Sequence, residues 1–339
     1  MKGSIRVGVC GYGPMGRMHA QLLKARGDVE LVGVADPEKA MRDRAASELG
    51  VPVYPSGEEM IDSRVAEAMV ICAPTFLHAP LTVRALEAGC HVLCEKPMAR
   101  SGEECDLMIE AARRTGRLLT VGQVLRFWPE YRWLKEAVDS GRLGRLRTLS
   151  LQRIGNVTHG WKDWFLDEAL GGTQIFDRHI HDTDLVLWLL GAPRGVETWA
   201  REEKTGGMVH CHTRYDYPEV HVVAEGSADL APKYPFTMAY VAVFEQATAD
   251  FCSRRSPTLT VYGEDGGIEV PDLAVSQSNE KAGLNINSSS GYALEEEYFL
   301  ECVRSGRKPE VVTPESARET VRWVRSEMES ARMRSPRRP

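Results

Sequence analysis

The sequence of 339 residues carries one motif whose residue types and spacing suit a phosphate ligand. Gly11-Tyr12-Gly13-Pro14-Met15-Gly16 follows an apolar run, Ile5–Cys10, and opens a helix-like stretch. Glycines at those three positions let backbone amides at a helix N-terminus approach a pyrophosphate, so in this setting the motif reads as a dinucleotide site. Asp36, twenty residues after Gly16, stands where a carboxylate accepts hydrogen bonds from the adenosine ribose and repels a 2′-phosphate. Pro37, not an arginine, comes next, which favours NAD over NADP. Lys39 and Arg42 lie near enough to keep NADP open, and a helix cap is the plainer role for Asp36.

A second set suits proton and charge handling. An imidazole titrates near neutrality, so His181 is a candidate general acid/base. Asp177 precedes it by four residues, so on a helix the two share a face, where the carboxylate can bind a hydroxyl or orient the ring. Lys96 follows the apolar run His91–Cys94 and precedes Pro97, at the strand edge where ligands bind in parallel sheets. An ammonium there favours an alkoxide as it develops. Taken singly, each has a plainer reading: a solvated lysine, or a histidine that caps a helix or fills a core. His179 is close by but lacks the spacing to Asp177. His210-Cys211-His212 invites a metal, yet neighbouring residues on a strand point to opposite faces, so no metal is expected.

Strands and helices must hold these groups in place. Apolar runs at Ile5–Cys10, Val29–Ala35, Ala68–Cys72, His91–Cys94 and Leu118–Val121 alternate with helical stretches at Met18–Ala25, Glu38–Leu49, Ala79–Ala88 and Glu103–Arg114. That alternation predicts an α/β Rossmann domain with a parallel sheet over residues 1–122. Beyond it, residues 123–330 predict a second α/β domain, for substrate and oligomer contacts, built on a large, open, mainly antiparallel sheet. Its strands are expected at Arg147–Ile154, Val196–Arg201, Met208–Tyr215, Val220–Ala228, Thr237–Phe244 and Thr258–Tyr262. Its helices are expected at Glu130–Ser140, Ile180–Leu190, Ala293–Arg304 and Pro314–Glu329. Ser276–Tyr292 reads as a long surface loop and the basic tail, 331–339, as disordered.

Composition narrows the classes of partner. Lys and Arg total 42 against 48 Asp and Glu, a net charge of −6, which gives no electrostatic reason to expect nucleic acid or an anionic membrane. No run of about 18 apolar residues marks a membrane span, and the first residues lack a signal-peptide core. Eight scattered cysteines without a C-x-x-C pair suit reduced thiols in a cytoplasm.

At Cys94-Glu95-Lys96-Pro97-Met98-Ala99 the sequence resembles the glucose–fructose oxidoreductase, inositol dehydrogenase and rhizopine-catabolism family. The other markers are Ala73-Pro74-Thr75 with His78, Arg126-Phe127 with Pro129 and Tyr131, Gly171-Gly172, and Asp177-x-x-x-His181-Asp182. The resemblance implies that Ala73, Pro74, Thr75, His78, Glu95, Lys96 and Gln123 contact an NAD or NADP cofactor. It also implies that Lys96, Asp177 and His181 face a sugar, inositol or polyol carbon, and that the open sheet joins copies into a homodimer or homotetramer. Arg126 is expected either to clamp a substrate hydroxyl or carboxylate or to form a structural ion pair. Trp164, with Trp161, Tyr215, Tyr217, Tyr234 and Phe236, supplies either sugar platforms or core and interface packing. The expected reaction is hydride transfer between a hydroxyl carbon and the nicotinamide. A redox-neutral hydrolase or lyase that oxidises its sugar transiently is the enzymatic alternative. A non-catalytic dinucleotide-binding regulator is the alternative from another class.

Overall fold

The computed structural model describes residues 3–156, 167–171, 173, 175–202, 207–273 and 290–334. The chain divides into two compact units. Among the described residues the first is 3–124 with 291–321, and the second is the rest, 125–273 with Ser290 and 322–334.

In the first unit the chain runs β1 (Ile5–Cys10), α1 (Pro14–Lys24), β2 (Val29–Ala35), α2 (Lys39–Leu49), β3 (Val53–Tyr54), α3 (Gly57–Asp62), β4 (Ala68–Ile71), α4 (His78–Glu87), β5 (His91–Cys94), α5 (Gly102–Thr115) and β6 (Leu119–Val121). The strands form one parallel sheet in the order β3-β2-β1-β4-β5-β6, the doubly wound arrangement. Its middle strands are continuously apolar because helices cover both faces: Val7, Val9, Met69, Val70 and Val92 have no exposed surface. The short pieces β3 and α3 are absent from the sequence reading. β3 is an edge pair, and α3 is one capped turn in which Ser56 Oγ accepts from Glu59 N at 3.1 Å.

The second unit contains α6 (Pro129–Ser140), β7 (Leu146–Ile154), a π-helical turn (Ile175–His179) running into α7 (Ile180–Leu190), β8 (Val196–Glu202), β9 (Met208–Asp216), β10 (His221–Ser227), β11 (Thr237–Phe244), β12 (Ala247–Cys252), β13 (Leu259–Gly263) and β14 (Ile268–Glu269). These strands form one sheet in the order β14-β13-β12-β11-β7-β10-β9-β8. It is antiparallel except where β7 lies parallel to β10. Inward residues alternate with outward ones: on β9, Cys211, Thr213 and Tyr215 are buried, while His212 and Arg214 are exposed. The opposite face keeps Trp199, Val223, Val241 and Tyr262 exposed.

Two helices close the chain, α8 (Ser290–Ser305) and α9 (Pro314–Arg334). The sequence places α8 in the second domain. Instead Phe299 and Leu300 enter the core built by Val7, Val9, Ala20 and Leu23, so apolar burial assigns the helix to the first unit. The expected disorder from 331 is also corrected, because α9 continues to Arg334. Ala331 is buried and Arg334 pairs with Glu197 at 2.9 Å, which anchors that turn. Residues 335–339, and all of the expected 276–292 loop before Ser290, lie outside the described residues. Among those residues no helix is long and apolar enough to cross a membrane, and all eight cysteines are free.

Candidate active site

The glycine loop joins β1 to α1 and its three glycines answer to different constraints. Gly11 has φ +94°, and a Cβ there would lie 2.6 Å from the Cys72 carbonyl oxygen. A Cβ on Gly16 would fall 1.9 Å from the Gly11 carbonyl oxygen, inside the turn itself. Gly13 is different: a Cβ there meets nothing within 4 Å, and the residue is exposed. Nothing in the protein demands glycine at that point, which fits a backbone left bare for a ligand. Pro14 opens α1, no side chain caps the helix, and no acid stands in its first turn, so the amide end faces outward uncompensated. Asp36, at the end of β2, braces the loop through its carboxylate. Oδ2 accepts from Tyr12 N and Oδ1 from Glu38 N, both at 2.8 Å. A carboxylate has room for further donors, so ribose hydroxyls remain compatible with these bonds. Lys39 pairs with Asp43, and Arg42 donates to the carbonyls of Asp36 and Pro37. Both cations that left a 2′-phosphate open therefore have work inside the protein.

Residues of β4, β5 and β6 meet at the sheet's carboxyl edge. His78 spans two backbone carbonyls there, Pro97 O and Ala73 O, each 2.7 Å from a ring nitrogen. Desolvation lowers its pKa. Its role is to tie the Ala73-Pro74-Thr75 turn to the Lys96-Pro97 loop. Glu95 likewise turns inward. Its Oε1 meets His19 Nε2 at 2.9 Å, and its Oε2 accepts from Lys96 N at 3.0 Å. His19 Nδ1 meets Glu296 Oε1 at 2.7 Å. Burial opposes charge on His19, but the hydrogen bonds it donates to Glu296 and Glu95 outweigh it and hold the pKa up at about 10. Burial also works against an ionised Glu95, which the hydrogen bond and charge of His19 overcome. His78 and Glu95, both expected to contact the cofactor, thus also brace the loop of Lys96, which is itself partly exposed. Thr75 Oγ1 and both amide atoms of Gln123 are buried with no hydrogen-bond partner among the described residues. Such groups cost about 1–3 kcal/mol each unless satisfied, so they suit a polar ligand at this edge.

In the second unit Thr173 lies just before the π-helical turn, its carbonyl accepting from Asp177 N at 2.8 Å. Asp177 and His181 are both half-buried, one in the π turn and the other in the first turn of α7. Such turns recur at functional sites because they re-aim side chains by part of a turn. His179 goes the other way. It is fully buried, with Nε2 3.1 Å from Thr213 Oγ1 and 3.4 Å from Glu327 Oε2, and desolvation lowers its pKa to about 3. It is a neutral core group. Arg126 is the structural alternative: Nε and Nη2 fork onto Asp184 at 2.9 and 2.7 Å, and both residues are buried. Asp182 is taken the same way by Arg153. Tyr215 is core, its hydroxyl 3.2 Å from Thr183 Oγ1. Trp161, Trp164 and Gly172 lie outside the described residues.

Comparison with known proteins decides the family. Residues 5–123 match a domain described as an oxidoreductase family with an NAD-binding Rossmann fold, and residues 131–269 match the GFO/IDH/MocA C-terminal domain. The chain belongs to the GFO/IDH/MocA family. It is 35% identical over 280 residues to inositol 2-dehydrogenase 4 of Saccharopolyspora erythraea, covering 79% of this chain and 80% of that protein. It is 32% identical over 194 residues to D-glucoside 3-dehydrogenase of Escherichia coli, covering 56% of this chain but only 55% of that one. The solved myo-inositol 2-dehydrogenase of Lactobacillus plantarum shares the fold at a TM-score of 0.81, with 23% identity over 97% of this chain and 98% of that one.

As a member of the GFO/IDH/MocA family the chain is an NAD-binding oxidoreductase, and the Gly13 amide end and Asp36 fit that cofactor. Sequence reasoning missed His19 and Glu296, 277 residues apart. The only signal available was a histidine on the buried face of α1, which by itself names no partner.

Proposed function

We propose that this family member oxidises a hydroxyl-bearing carbon of a sugar, inositol or related polyol with NAD. Lys96, Asp177 and His181 do the protein's share of the chemistry. The extended likeness to an inositol dehydrogenase carries this reading, because it spans both units and the three residues are all present. NAD, when bound, supplies the oxidant that accepts hydride from the alcohol carbon. The α1 amide end, Asp36, Thr75 and Gln123 hold it.

Lys96 donates to the alcohol oxygen and favours its anionic form. His181 takes the hydroxyl proton, and Asp177 binds a neighbouring hydroxyl or fixes the imidazole. Glu95 and His78 set the Lys96 loop from behind. Arg126 is assigned to structure, not to substrate. The exposed apolar residues of the second sheet, Trp199, Val223, Val241 and Tyr262, support self-association through that face into a dimer or tetramer. Eight free cysteines support a reducing, cytoplasmic setting.

A panel of sugars, inositols and sugar acids, each offered with NAD and separately with NADP, tests the reading by NADH absorbance. Net NADH formation from a free sugar or inositol is expected. Glycoside cleavage without net NADH, or tight NAD binding with no turnover on any member, would overturn it.

A further inference from the structure

We infer that the open face of the second sheet binds a divalent transition-metal ion of the zinc class through His210, His212 and Glu225. The expectation of no metal at His210-Cys211-His212 considered neighbouring residues only. On β9 Cys211 does point inward and is buried, but His210 and His212, two residues apart, share the outward face. Their rings are 5.0 Å apart and tilted by 32°. The register of β10 sets Glu225 directly opposite His212. One ligand atom from each of the three lies within 4.8 Å of the others. His210 Nε2 and Glu225 Oε1 already converge at 3.1 Å.

The surroundings resemble a built site more than a chance cluster. Gln152 Nε2 donates to the other carboxylate oxygen of Glu225 at 2.8 Å, which fixes that side chain from β7. On the far side of His210, Nδ1 is 3.6 Å from Asp229 Oδ1, so a carboxylate stands behind the imidazole as it does behind many ligating histidines. The nearby cations are balanced: Arg201 pairs with Asp229, and Arg214 with Glu197. Two imidazoles and one carboxylate favour zinc, nickel, copper or cobalt over magnesium or calcium, which prefer all-oxygen sites. Three ligands from one chain leave the remaining position for water or, where this face joins two copies, for a group of the second copy. This assignment is independent of the redox reaction.

Titration of the tag-free full chain with zinc chloride, against a chromophoric competing chelator, tests it. One zinc per chain is expected. His212→Ala and His210→Ala should each weaken binding at least about tenfold, and Gln152→Ala about tenfold or more through loss of the group behind Glu225. His221→Ala, on the same face but outside the cluster, should leave affinity unchanged. Circular dichroism of each variant separates lost ligands from lost fold. Absence of saturable zinc binding overturns the site, and so does zinc binding that is equal in the wild type and the His210→Ala/His212→Ala double variant.

Discussion

His19 stands between Glu95 and Glu296 with a carboxylate on each ring nitrogen and no exposed surface of its own. One buried cation thereby holds two acids, one beside Lys96 and the other on α8.

Stability should therefore respond to pH through His19. Its folded pKa, about 10, exceeds the ordinary 6.5, so the folded state holds a proton that the unfolded chain gives up across that window. The contribution is complete below about 6.5 and is lost as pH rises through about 10. Urea unfolding across that range should show stability falling by an amount on the order of a few kcal/mol. His19→Gln should flatten the slope and cost about 3–5 kcal/mol near neutrality, because both acids lose their counter-charge. An unchanged slope in the variant would show that the ring is neutral.

Lys96→Met and His181→Ala should each lower kcat by about 10²–10⁴-fold on the substrate that the panel identifies. NADH affinity, read by fluorescence titration, should stay within about threefold. Near-normal turnover in either variant would remove that residue from the chemistry.

Gly13 and Gly16 should separate in their effects. Gly16→Ala forces a Cβ against the Gly11 carbonyl and should cost about 1–3 kcal/mol in thermal or urea unfolding. Gly13→Val should leave the unfolding midpoint nearly unchanged while weakening NAD at least about tenfold, since its side chain would occupy space that only the ligand uses. A Gly13→Val protein that binds NAD normally would place the pyrophosphate elsewhere.

Arg126→Met should destabilise the second unit by about 3–5 kcal/mol, because Asp184 is left charged and buried. Pairing it with Asp184→Leu should recover most of the loss. If Arg126 bound substrate instead, KM would rise in the single variant with unfolding unaltered.

The fold was legible wherever burial wrote a simple pattern. β1, β2, β4 and β5 are short apolar runs, and the glycine loop follows β1 without a gap. β12 escaped notice because its inward positions are Ala247, Ala249 and Phe251 with Asp250 between, too small and polar to mark a strand. The polar parts of the site were less legible for a different reason. Glu95 and His78 read as cofactor contacts in a motif, and only the fold shows that each also bonds to a more distant partner, His19 and the Pro97 carbonyl. Asp182 and Asp184 sit in the polar first turns of an otherwise apolar helix, and only the folded chain brings Arg153 and Arg126 to them. The two histidines of β9 illustrate the converse: alternation, applied one residue further, places them together.

The contribution of α8 to the first core has a consequence for the order of synthesis. Val7, Val9, Ala20 and Leu23 leave the ribosome long before Phe299 and Leu300, which finish their packing. Until then the nascent nucleotide half carries an open greasy socket and an imidazole with one of its two acids missing. A fragment cut after Val124 would inherit both defects permanently, so the first unit is not a detachable cassette, and gene fusions that treat it as one should yield aggregating protein.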